Sequence, residues 1–372
     1  MTAPTQPSAT PDLLYTRDEE DLRSAVRALL TDRADAPTVI AATESDTPYD
    51  PRLWSSLATG IGAAGLLVPE ELGGQGASHR EAAVVLEELG RAVAPAPYLT
   101  SSVVATETLL ALGADGGPAG ALLGELASGT RTAVLAVPFA TAPAGVDTAR
   151  ASLDGTVRGV AEAAAADVLL VPTAEGLYAV GTTDPGVAVQ PLVPLDLTRP
   201  LAAVTLTGAA GTLLADADAS TAAVRRGLLA GAGLLASEQL GLAEWCLTET
   251  VRHTRERHQF NRPVGSFQSL KHRMAHLWLE VVSARAAARN AADALATGSP
   301  DAPLAVAVAQ AYCSGVAVHA AEECVQLHGG IGMTWEHPAH LYLKRAKADS
   351  IAYGTAGSHR RAVAELADLP AP

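Results

Sequence analysis

The segment from Arg252 to Arg262 places four arginines within eleven residues of an otherwise acidic sequence. Guanidinium groups are planar and always charged, and their paired N–H donors match phosphate oxygens. Gln259 and Phe260 add an amide and an apolar face to the same segment. The pattern predicts a site for a diphosphate group. A structural alternative is that these cations complement the dipole at a helix C-terminus.

A second segment, Gln326–Gly332, has three glycines within four residues, at 329, 330 and 332. Glycine lets the backbone approach a ligand closely, and successive N–H groups can then face phosphate or ribose oxygens. A plain helix–helix turn is the alternative, although one glycine usually suffices for it. The segment therefore favours a second contact with an anionic ligand.

Other chemical signals are weaker. Gly60–Gly65 matches the dinucleotide pattern G-x-G-x-x-G and Gly231–Ala236 matches its G/A variant, but neither follows a predicted strand. His272, His276 and Glu280 recur at helical spacing and could face one side of a helix. A polar helix face explains them better than a metal site, because no further protein ligand is evident. We predict no metal.

Composition limits the possible functions. The 372 residues are 48% hydrophobic, and 26 Lys and Arg against 40 Asp and Glu give a net charge of −14. Nucleic acid and anionic membranes are disfavoured as partners, because both require a broad basic surface. Cys246, Cys313 and Cys324 lack C-x-x-C spacing, which suits a reducing cytosol. No signal peptide or uninterrupted apolar span is evident, so we expect a cytoplasmic protein.

The periodicity of the sequence indicates three regions. Residues 13 to about 128 are predicted to be helical, with capping boxes at Thr16/Glu19 and Ser78/Glu81. Short β-prone segments separated by Asp-Gly, Pro-Gly and Glu-Gly turns follow from residue 130 and predict a small antiparallel barrel or sandwich. Long helical patterns then return.

Four long helices are predicted in the last region, at about 221–258, 266–297, 304–326 and 338–366, and short loops between them favour a four-helix bundle. The predicted fold is mostly α with a β middle domain. The expected domains are an N-terminal helical domain at 13–129, a β-domain at 130–218 and a helix bundle at 219–372.

Taken together, three motifs resemble the acyl-CoA dehydrogenase family across about residues 15 to 366. Each motif is moderately specific, and all three occur in the family's order. They are Leu67-x-Pro69-Glu70-x-x-Gly73-Gly74-x-Gly76, Arg257-x-Gln259-Phe260-x-Arg262-Pro263-x-Gly265-x-Phe267-Gln268 and Gln326-x-His328-Gly329-Gly330-x-Gly332.

The resemblance implies an oligomeric flavoprotein of lipid metabolism that binds FAD at a subunit interface. It implies α,β-desaturation of an acyl-CoA or a carrier-bound acyl thioester, in which a carboxylate removes the α-proton and hydride leaves for the flavin. The positions that match the family's cofactor-binding residues are Arg257, Gln259, Phe260, Gln326, Gly329, Gly330 and Thr355.

The sequence departs from the family at the catalytic base. The family's Tyr-Glu-Gly-Thr element is here Ala352-Tyr353-Gly354-Thr355, so Tyr353 takes the glutamate position and the catalytic residue is unknown. Arginines 225 and 226 occupy the region of the alternative base. The flavin-contacting elements of the middle domain are replaced by Ala140–Gly145 and Gly159–Glu162.

These departures resemble the subunit that lacks the catalytic glutamate in actinobacterial heteromeric acyl-CoA dehydrogenases. Such a subunit completes the FAD site of a homologous partner. One alternative is a homo-oligomeric flavoenzyme with an unusual base, for which Glu162, Glu238 and Asp349 are candidates, or with a reaction other than desaturation. Another is a structural partner without redox chemistry.

Overall fold

The N-terminal region of the computed structural model is helical. The structure describes residues 13–45, 49–113, 117–145 and 152–370. Both predicted capping boxes are present, since Thr16 and Ser78 each exchange hydrogen bonds with the glutamate three residues on. The helices are α1 (Arg17–Arg33), α2 (Ala36–Thr43), α3 (Pro51–Ser55), α4 (His79–Ala92), α5 (Thr106–Leu110) and α6 (Pro118–Ala127).

The middle region consists of two small sheets that share one apolar core. One sheet has the strand order β1-β3-β4-β7 and the other has β2-β6-β5. Valines 134, 160 and 204 are among the residues that join the two sheets in that core. The strands are β1 (Ala133–Leu135), β2 (Gly155–Ala161), β3 (Val168–Pro172), β4 (Gly176–Gly181), β5 (Val187–Pro191), β6 (Leu201–Leu206) and β7 (Gly211–Asp216).

The prediction of an antiparallel middle region was wrong for one strand pair. Strand β1 pairs with β3 in parallel, with Ala133 opposite Val168. The chain passes through β2 in the other sheet before it returns, and this crossover gives β1 and β3 the same direction. The remaining pairs within the two sheets are antiparallel.

The C-terminal region is dominated by three long helices, α7 (Ala217–Glu256), α8 (Gln268–Ala296) and α9 (Ala302–His328). The predicted fourth helix at 338–366 was wrong as a single element. It consists of α10 (Ala339–Asp349) and α11 (Ala356–Leu366), separated at Tyr353 and Gly354, whose φ angles are +51° and +107°. A continuous helix cannot pass through two left-handed residues.

Glycines bring α4 of the N-terminal region close to α7. A Cβ atom on Gly90 would lie 2.1 Å from the carbonyl oxygen of Glu238, and one on Gly241 would lie 1.8 Å from that of Glu87. The two backbones can therefore touch only because both positions are glycine. This contact fixes Glu238 of α7 at the junction between the helical regions.

One helical stretch within the described residues, Ala302–Met333, is long and apolar enough by length and composition to cross a membrane. It contains α9, which packs against α7 and α8, and 61% of its most apolar window is buried in the fold. The core helix of a bundle meets the same criteria, so this finding is weak evidence for a membrane span.

Candidate functional site

The arginine segment forms a small hairpin at the end of α7. The N–H of Arg257 donates to the carbonyl of His253 (2.8 Å) and ends the helix. Two-residue strands follow, β8 (His258–Gln259) and β9 (Arg262–Pro263), which pair with each other. The segment is thus a rigid projection from the bundle.

Phe260 forms the tip of this hairpin. Its φ is +54° and that of Asn261 is +59°, as a tight type I′ turn requires. The phenyl ring is 85% exposed and contacts Phe267 edge to face, with the ring centroids 6.0 Å apart. A bulky residue in a left-handed conformation is costly, and such strain is typical of functional sites.

The arginines of this segment separate into different environments. Arg252 is paired along the helix with Glu249 (Nε to Oε2, 2.9 Å) and Glu256 (2.6 Å), which is a structural role. The guanidinium of Arg262 stacks on Phe267 at 3.8 Å. Arg257 is exposed and has no carboxylate partner among the described residues, so its charge is available to a ligand.

The glycine segment lies just beyond α9. Gly329 has a φ of +62°, and a Cβ atom at Gly329 or Gly330 would meet nothing within 4 Å. Both residues and Gln326 are exposed. The N–H of Gly329 donates to the carbonyl of Gln326, and residues Gly329–Met333 form a short 3-10 turn on a surface that a ligand can reach.

The two predicted segments lie at the same end of the bundle. The ring of His253, one turn before Arg257, lies 4.2 Å from the ring of His328, which precedes Gly329. We name these ligand-facing residues the cofactor arm: Arg257, Gln259, Phe260, Gln326, Gly329 and Gly330.

Thr355 is separated from the cofactor arm. Helix α10, which is about 16 Å long, lies between the glycine segment and Thr355. The Thr355 hydroxyl accepts a hydrogen bond from the N–H of Ser358 (3.2 Å) and caps α11. The residues matched to the family's cofactor site therefore form two groups in this chain.

Tyr353, at the position of the family's base, lies where the altered middle-region elements meet. Its N–H donates to the carbonyl of Phe139 (2.8 Å), whose own N–H donates to that of Gly159 (2.8 Å). The rings of Tyr353 and Phe139 make an edge contact at 5.1 Å, and Tyr353 is 3% exposed. Burial raises the pKa of Tyr353 well above its ordinary value, so it is a poor base.

A glycine of α7 makes room for this tyrosine ring. A Cβ atom on Gly231 would lie 3.2 Å from Cζ of Tyr353 and 2.6 Å from a methyl of Val104. Gly231 therefore has a packing role, and the dinucleotide pattern of Gly231–Ala236 lies inside a buried helix. The ring fills space that a smaller side chain would leave open.

A buried group of charges surrounds Arg199, in the loop before β6. Its guanidinium donates to Asp349 of α10 (2.9 Å) and to Glu238 of α7 (2.6 Å), and it lies 3.9 Å from Glu162. The hydroxyl of Thr100 donates to Glu162 from the N-terminal region. Three regions of the chain are thus held together by charges without access to water.

Arg345 of α10 is the second cation of this group. It donates to Glu238 (2.5 Å), to Asp196 (2.5 Å) and to the hydroxyl of Thr198 (2.6 Å). Glu238 therefore bridges two guanidinium groups. We name the whole group the ionic cluster: Glu162, Asp196, Arg199, Glu238, Arg345 and Asp349.

The ionic cluster has four carboxyl groups and two guanidinium groups. Burial raises the pKa of Asp349 and of Glu162, which favours their neutral forms. The pKa of Glu238 is lowered, because Arg199 and Arg345 together outweigh its burial. Two guanidinium groups thus face carboxyl groups whose buried charge they offset, as a buried group requires.

Little space remains beside Tyr353. The cavity lined by Thr100, Phe139 and Tyr353 has a volume of about 20 Å³, which is room for about one water molecule. A neighbouring cavity of about 450 Å³ is mostly apolar, and the one carboxylate among its lining residues is the exposed Glu365. Neither cavity is lined by a buried carboxylate, although the buried His359 lines the larger one.

The polar residues considered as metal ligands do not form a centre. His272 and His276 are exposed, and Glu280 contacts His319 (2.7 Å). Among the described residues, donor atoms of Glu249, His328 and His337 lie within 4.8 Å of one another. Arg252 already engages both oxygens of Glu249, and the N–H of Ala339 donates to Nδ1 of His337 (3.2 Å), so an ion-pair network explains this trio better.

Fold and site together define a class: a helical protein with a β middle region that brings an arginine hairpin and a glycine segment together at one end of its bundle. The family description "Acyl-CoA dehydrogenase, N-terminal domain" matches residues 16–129, and "Acyl-CoA dehydrogenase, C-terminal domain" matches residues 221–367. The chain belongs to the acyl-CoA dehydrogenase family. It is accordingly an FAD-dependent oxidoreductase component that acts on acyl-CoA.

Similar proteins cover nearly the whole chain. Acyl-CoA dehydrogenase IpdE2 of Mycolicibacterium smegmatis is 39% identical over 88% of this chain and 92% of its own. Acyl-CoA dehydrogenase FadE34 of Mycobacterium tuberculosis is 36% identical over 82% of this chain but 41% of its own. The solved ChsE4-ChsE5 complex from Mycobacterium tuberculosis matches with a TM-score of 0.83 and 28% identity, over 97% of this chain and 100% of that one.

Proposed function

We propose that this chain is the subunit of a heteromeric acyl-CoA dehydrogenase that completes the FAD site of a homologous catalytic partner. The partner supplies the carboxylate base and the pocket for the acyl thioester. The observation that carries this proposal is Tyr353, buried at the position of the base beside a cavity of about 20 Å³. A homologous chain that retains the glutamate must then provide the chemistry.

The residues of the cofactor arm fit the adenosine and diphosphate half of FAD. Arg257 offers a guanidinium without a carboxylate partner among the described residues, the exposed backbone at Gly329 and Gly330 has open space beside it, and Phe260 offers an exposed apolar ring. Charge-assisted hydrogen bonds to phosphate are among the strong ones in proteins. The arm therefore suits an anionic dinucleotide that reaches it from a neighbouring subunit.

The flavin half does not fit this chain in the same way. Tyr353 and the ionic cluster are buried where the altered middle-region elements converge, and the cavity of about 270 Å³ that remains beside Phe139 and Arg199 is mostly apolar. When bound in the partner, FAD accepts the hydride from the substrate. In the assembly this chain has three tasks: it binds the diphosphate, orients the adenosine half and covers it from water.

Two relatives support an assembly of unlike homologous chains. The ChsE4-ChsE5 neighbour is, by its name, a complex of two proteins. In FadE34 the 309 matched residues make up 41% of the relative, so that chain is about twice as long as this one and has room for a second unit of similar length. Both observations agree with a unit that works beside a homologue.

The decisive experiment is co-expression with homologues from the same organism that retain the glutamate, followed by measurement of flavin per chain. We expect one FAD for each pair of unlike chains and acyl-CoA desaturation only by the pair. An isolated chain that is a yellow homo-oligomer and desaturates an acyl-CoA would contradict the proposal. We also propose that the pair is located in the cytoplasm. Within this chain we propose domains at 13–129, 130–218 and 219–372.

The homo-oligomeric alternative requires a base from this chain. Its candidates Glu162, Glu238 and Asp349 all belong to the ionic cluster and are buried. Substituting each by Gln or Asn in turn and measuring turnover of the purified chain tests them. A purely structural role, without redox chemistry, is tested by the absorbance spectrum, since flavin bands after co-purification would contradict it.

A further inference from the structure

His328 lies buried beneath the cofactor arm, and its side chain does not reach the exposed side of the arm. It is the last residue of α9, and its side chain is fully buried. Nδ1 lies 2.6 Å from the carbonyl oxygen of Cys324, which can only accept, so Nδ1 carries the hydrogen. The other ring nitrogen, Nε2, is buried without a hydrogen-bond partner among the described residues and lies 3.8 Å from Glu249.

Glu249 is placed to join the two halves of the arm. It lies on α7, two turns before Arg257, and the Arg252 guanidinium holds its carboxylate. Its contact with His328 therefore connects α7, which carries the arginine hairpin, with α9, which carries the glycine segment. No other described contact between charged groups links these two helix ends so close to the arm.

Two further imidazole rings enclose His328. His253 of α7 lies on one side, with ring centroids 4.2 Å apart, and His337 of the loop before α10 lies on another, at 4.4 Å. All three segments that surround the arm thus meet at one side chain. Movement of any segment would disturb this packing.

We propose that His328 and Glu249 are positioning residues, whose contact fixes the arginine hairpin and the glycine segment at the separation that a single dinucleotide must span. The inference rests on the proposed function, because it assigns the arm to FAD. The pair acts through the arm and touches no cofactor atom. An imidazolium at His328 would also place positive charge beneath the glycine amides.

The charge state agrees with this geometry. Burial opposes a charge on His328, but the Cys324 side chain and the Glu249 carboxylate outweigh it and raise the pKa of His328 to about 10. Burial and the charge of His328 lower the pKa of His337 to about 4. At neutral pH one imidazolium faces Glu249 while its neighbour stays neutral.

A double-mutant cycle tests the proposal on the co-purified complex. Glu249→Gln keeps the shape of the side chain, and His328→Asn keeps a donor toward Cys324 but removes the group that faces Glu249. We expect each to raise the dissociation constant of FAD about fivefold to thirtyfold, which corresponds to about 1–2 kcal/mol. The double variant should bind FAD no more weakly than the single variant with the lower affinity, because the two residues share one contact.

The matched control is His319→Gln. His319 lies on the same helix as His328, and its Nδ1 is 2.7 Å from Oε2 of Glu280, away from the arm. It should leave FAD binding unchanged. A readout separate from FAD is amide hydrogen exchange of the full-length chain alone. Faster exchange is expected at 329–333 in both test variants, with α9 before His319 unchanged.

Additive losses of affinity, or single variants that bind FAD as the control does, would overturn the proposal. So would unchanged exchange at 329–333. If His328→Asn does not fold, Glu249→Gln and its exchange pattern still decide the matter. If the isolated chain retains FAD as a homo-oligomer, the division of labour with a partner is wrong, and the same cycle measured on that homo-oligomer tests the positioning separately.

Discussion

The two ends of α10 differ in how they treat charge. Before α10, the cofactor arm exposes Arg257 and the glycine backbone at 329 and 330 to solvent. At the other end, the ionic cluster buries two guanidinium groups with four carboxyl groups. An exposed charge is available to a ligand, whereas a charge that is buried and already paired affects the stability of the fold and not ligand binding.

The largest expected effect is the removal of a cation from the ionic cluster. Arg345→Met leaves Glu238 and Asp196 without one partner in a dry site, and we expect a loss of about 3–5 kcal/mol in the free energy of unfolding. Urea unfolding measures it. The control is Arg273→Met, which breaks the more exposed pair with Glu323 (2.7 Å) and should cost about 0.2–1 kcal/mol. Equal losses would show that the cluster is not what holds the regions together.

Restoring the family's base is the next test. Tyr353→Glu places a further carboxyl group beside the ionic cluster and removes the ring that packs over Gly231. We expect destabilisation of about 3–5 kcal/mol, as for loss of a buried aromatic ring, and no desaturase activity. Tyr353→Phe keeps the ring and should cost much less.

Measurable acyl-CoA desaturation by the isolated Tyr353→Glu chain would contradict this prediction. It would mean that the cavity beside residue 353 readily enlarges to admit a substrate, and that one missing side chain explains the lack of a base. The difference between the cofactor arm and the region of the ionic cluster would then depend on the residue at position 353 alone.

Sequence reasoning indicated the two segments of the cofactor arm more readily than the ionic cluster. The arm is built from two contiguous motifs, so residue type and spacing indicated both halves, and the fold brings them together at His253 and His328. The ionic cluster joins residues as far apart as Glu162 and Asp349. Only the tertiary fold makes them neighbours, although charged residues within apolar runs, such as Glu238 in LLASEQLGLA, were a signal.

The fold shows a similar division. Periodicity and caps predicted α1, α4 and the three long helices, because each depends on local sequence. The break at Tyr353 and the parallel pairing of β1 with β3 were missed. Backbone conformation at a non-glycine residue and the order of strands both follow from tertiary contacts, which periodicity does not report.

Within the cofactor arm, Arg257→Ala should weaken FAD binding by the complex. A charge-assisted hydrogen bond contributes about 1.5–3 kcal/mol, so the dissociation constant should rise about 10-fold to 150-fold. Arg255→Ala is the matched control, since Arg255 is an exposed arginine of α7 outside the matched motif. Flavin fluorescence during titration gives both constants. The same constant for both variants would remove Arg257 from the site.

The two regions should respond to acid in opposite directions. Contacts with His328 and Arg252 lower the pKa of Glu249 to about 2, so its contribution to stability is present above pH 4.5 and is lost as the pH falls toward 2. Burial raises the pKa of Asp349 above its ordinary 3.8. The loss of stability caused by ionising this buried carboxyl group is therefore absent below pH 3.8 and grows as the pH rises.

Urea unfolding of Glu249→Gln and Asp349→Asn from pH 2 to 7 measures this difference. The deficit of Glu249→Gln relative to wild type should shrink below pH 4.5, and Asp349→Asn should gain relative to wild type above about pH 4. The slope for one proton is about 1.4 kcal/mol per pH unit. For each variant, the free energy of unfolding minus that of wild type is plotted against pH. If the two plots have the same sign, the two regions do not differ in charge burial.

The smallest expected effect concerns the turn that presents Phe260. Asn261 has a φ of +59°, a conformation that asparagine tolerates and glycine adopts freely, so Asn261→Gly should stabilise the chain by a few tenths of a kcal/mol at most. Asn261→Ala forces a Cβ atom into that conformation and should cost about 1 kcal/mol. Thermal unfolding gives both values, and FAD titration should show a weaker effect of Asn261→Ala than of Arg257→Ala. If alanine and glycine change the melting temperature alike, the left-handed turn is not what holds the hairpin in place, and the arm is ordered only when it meets its ligand.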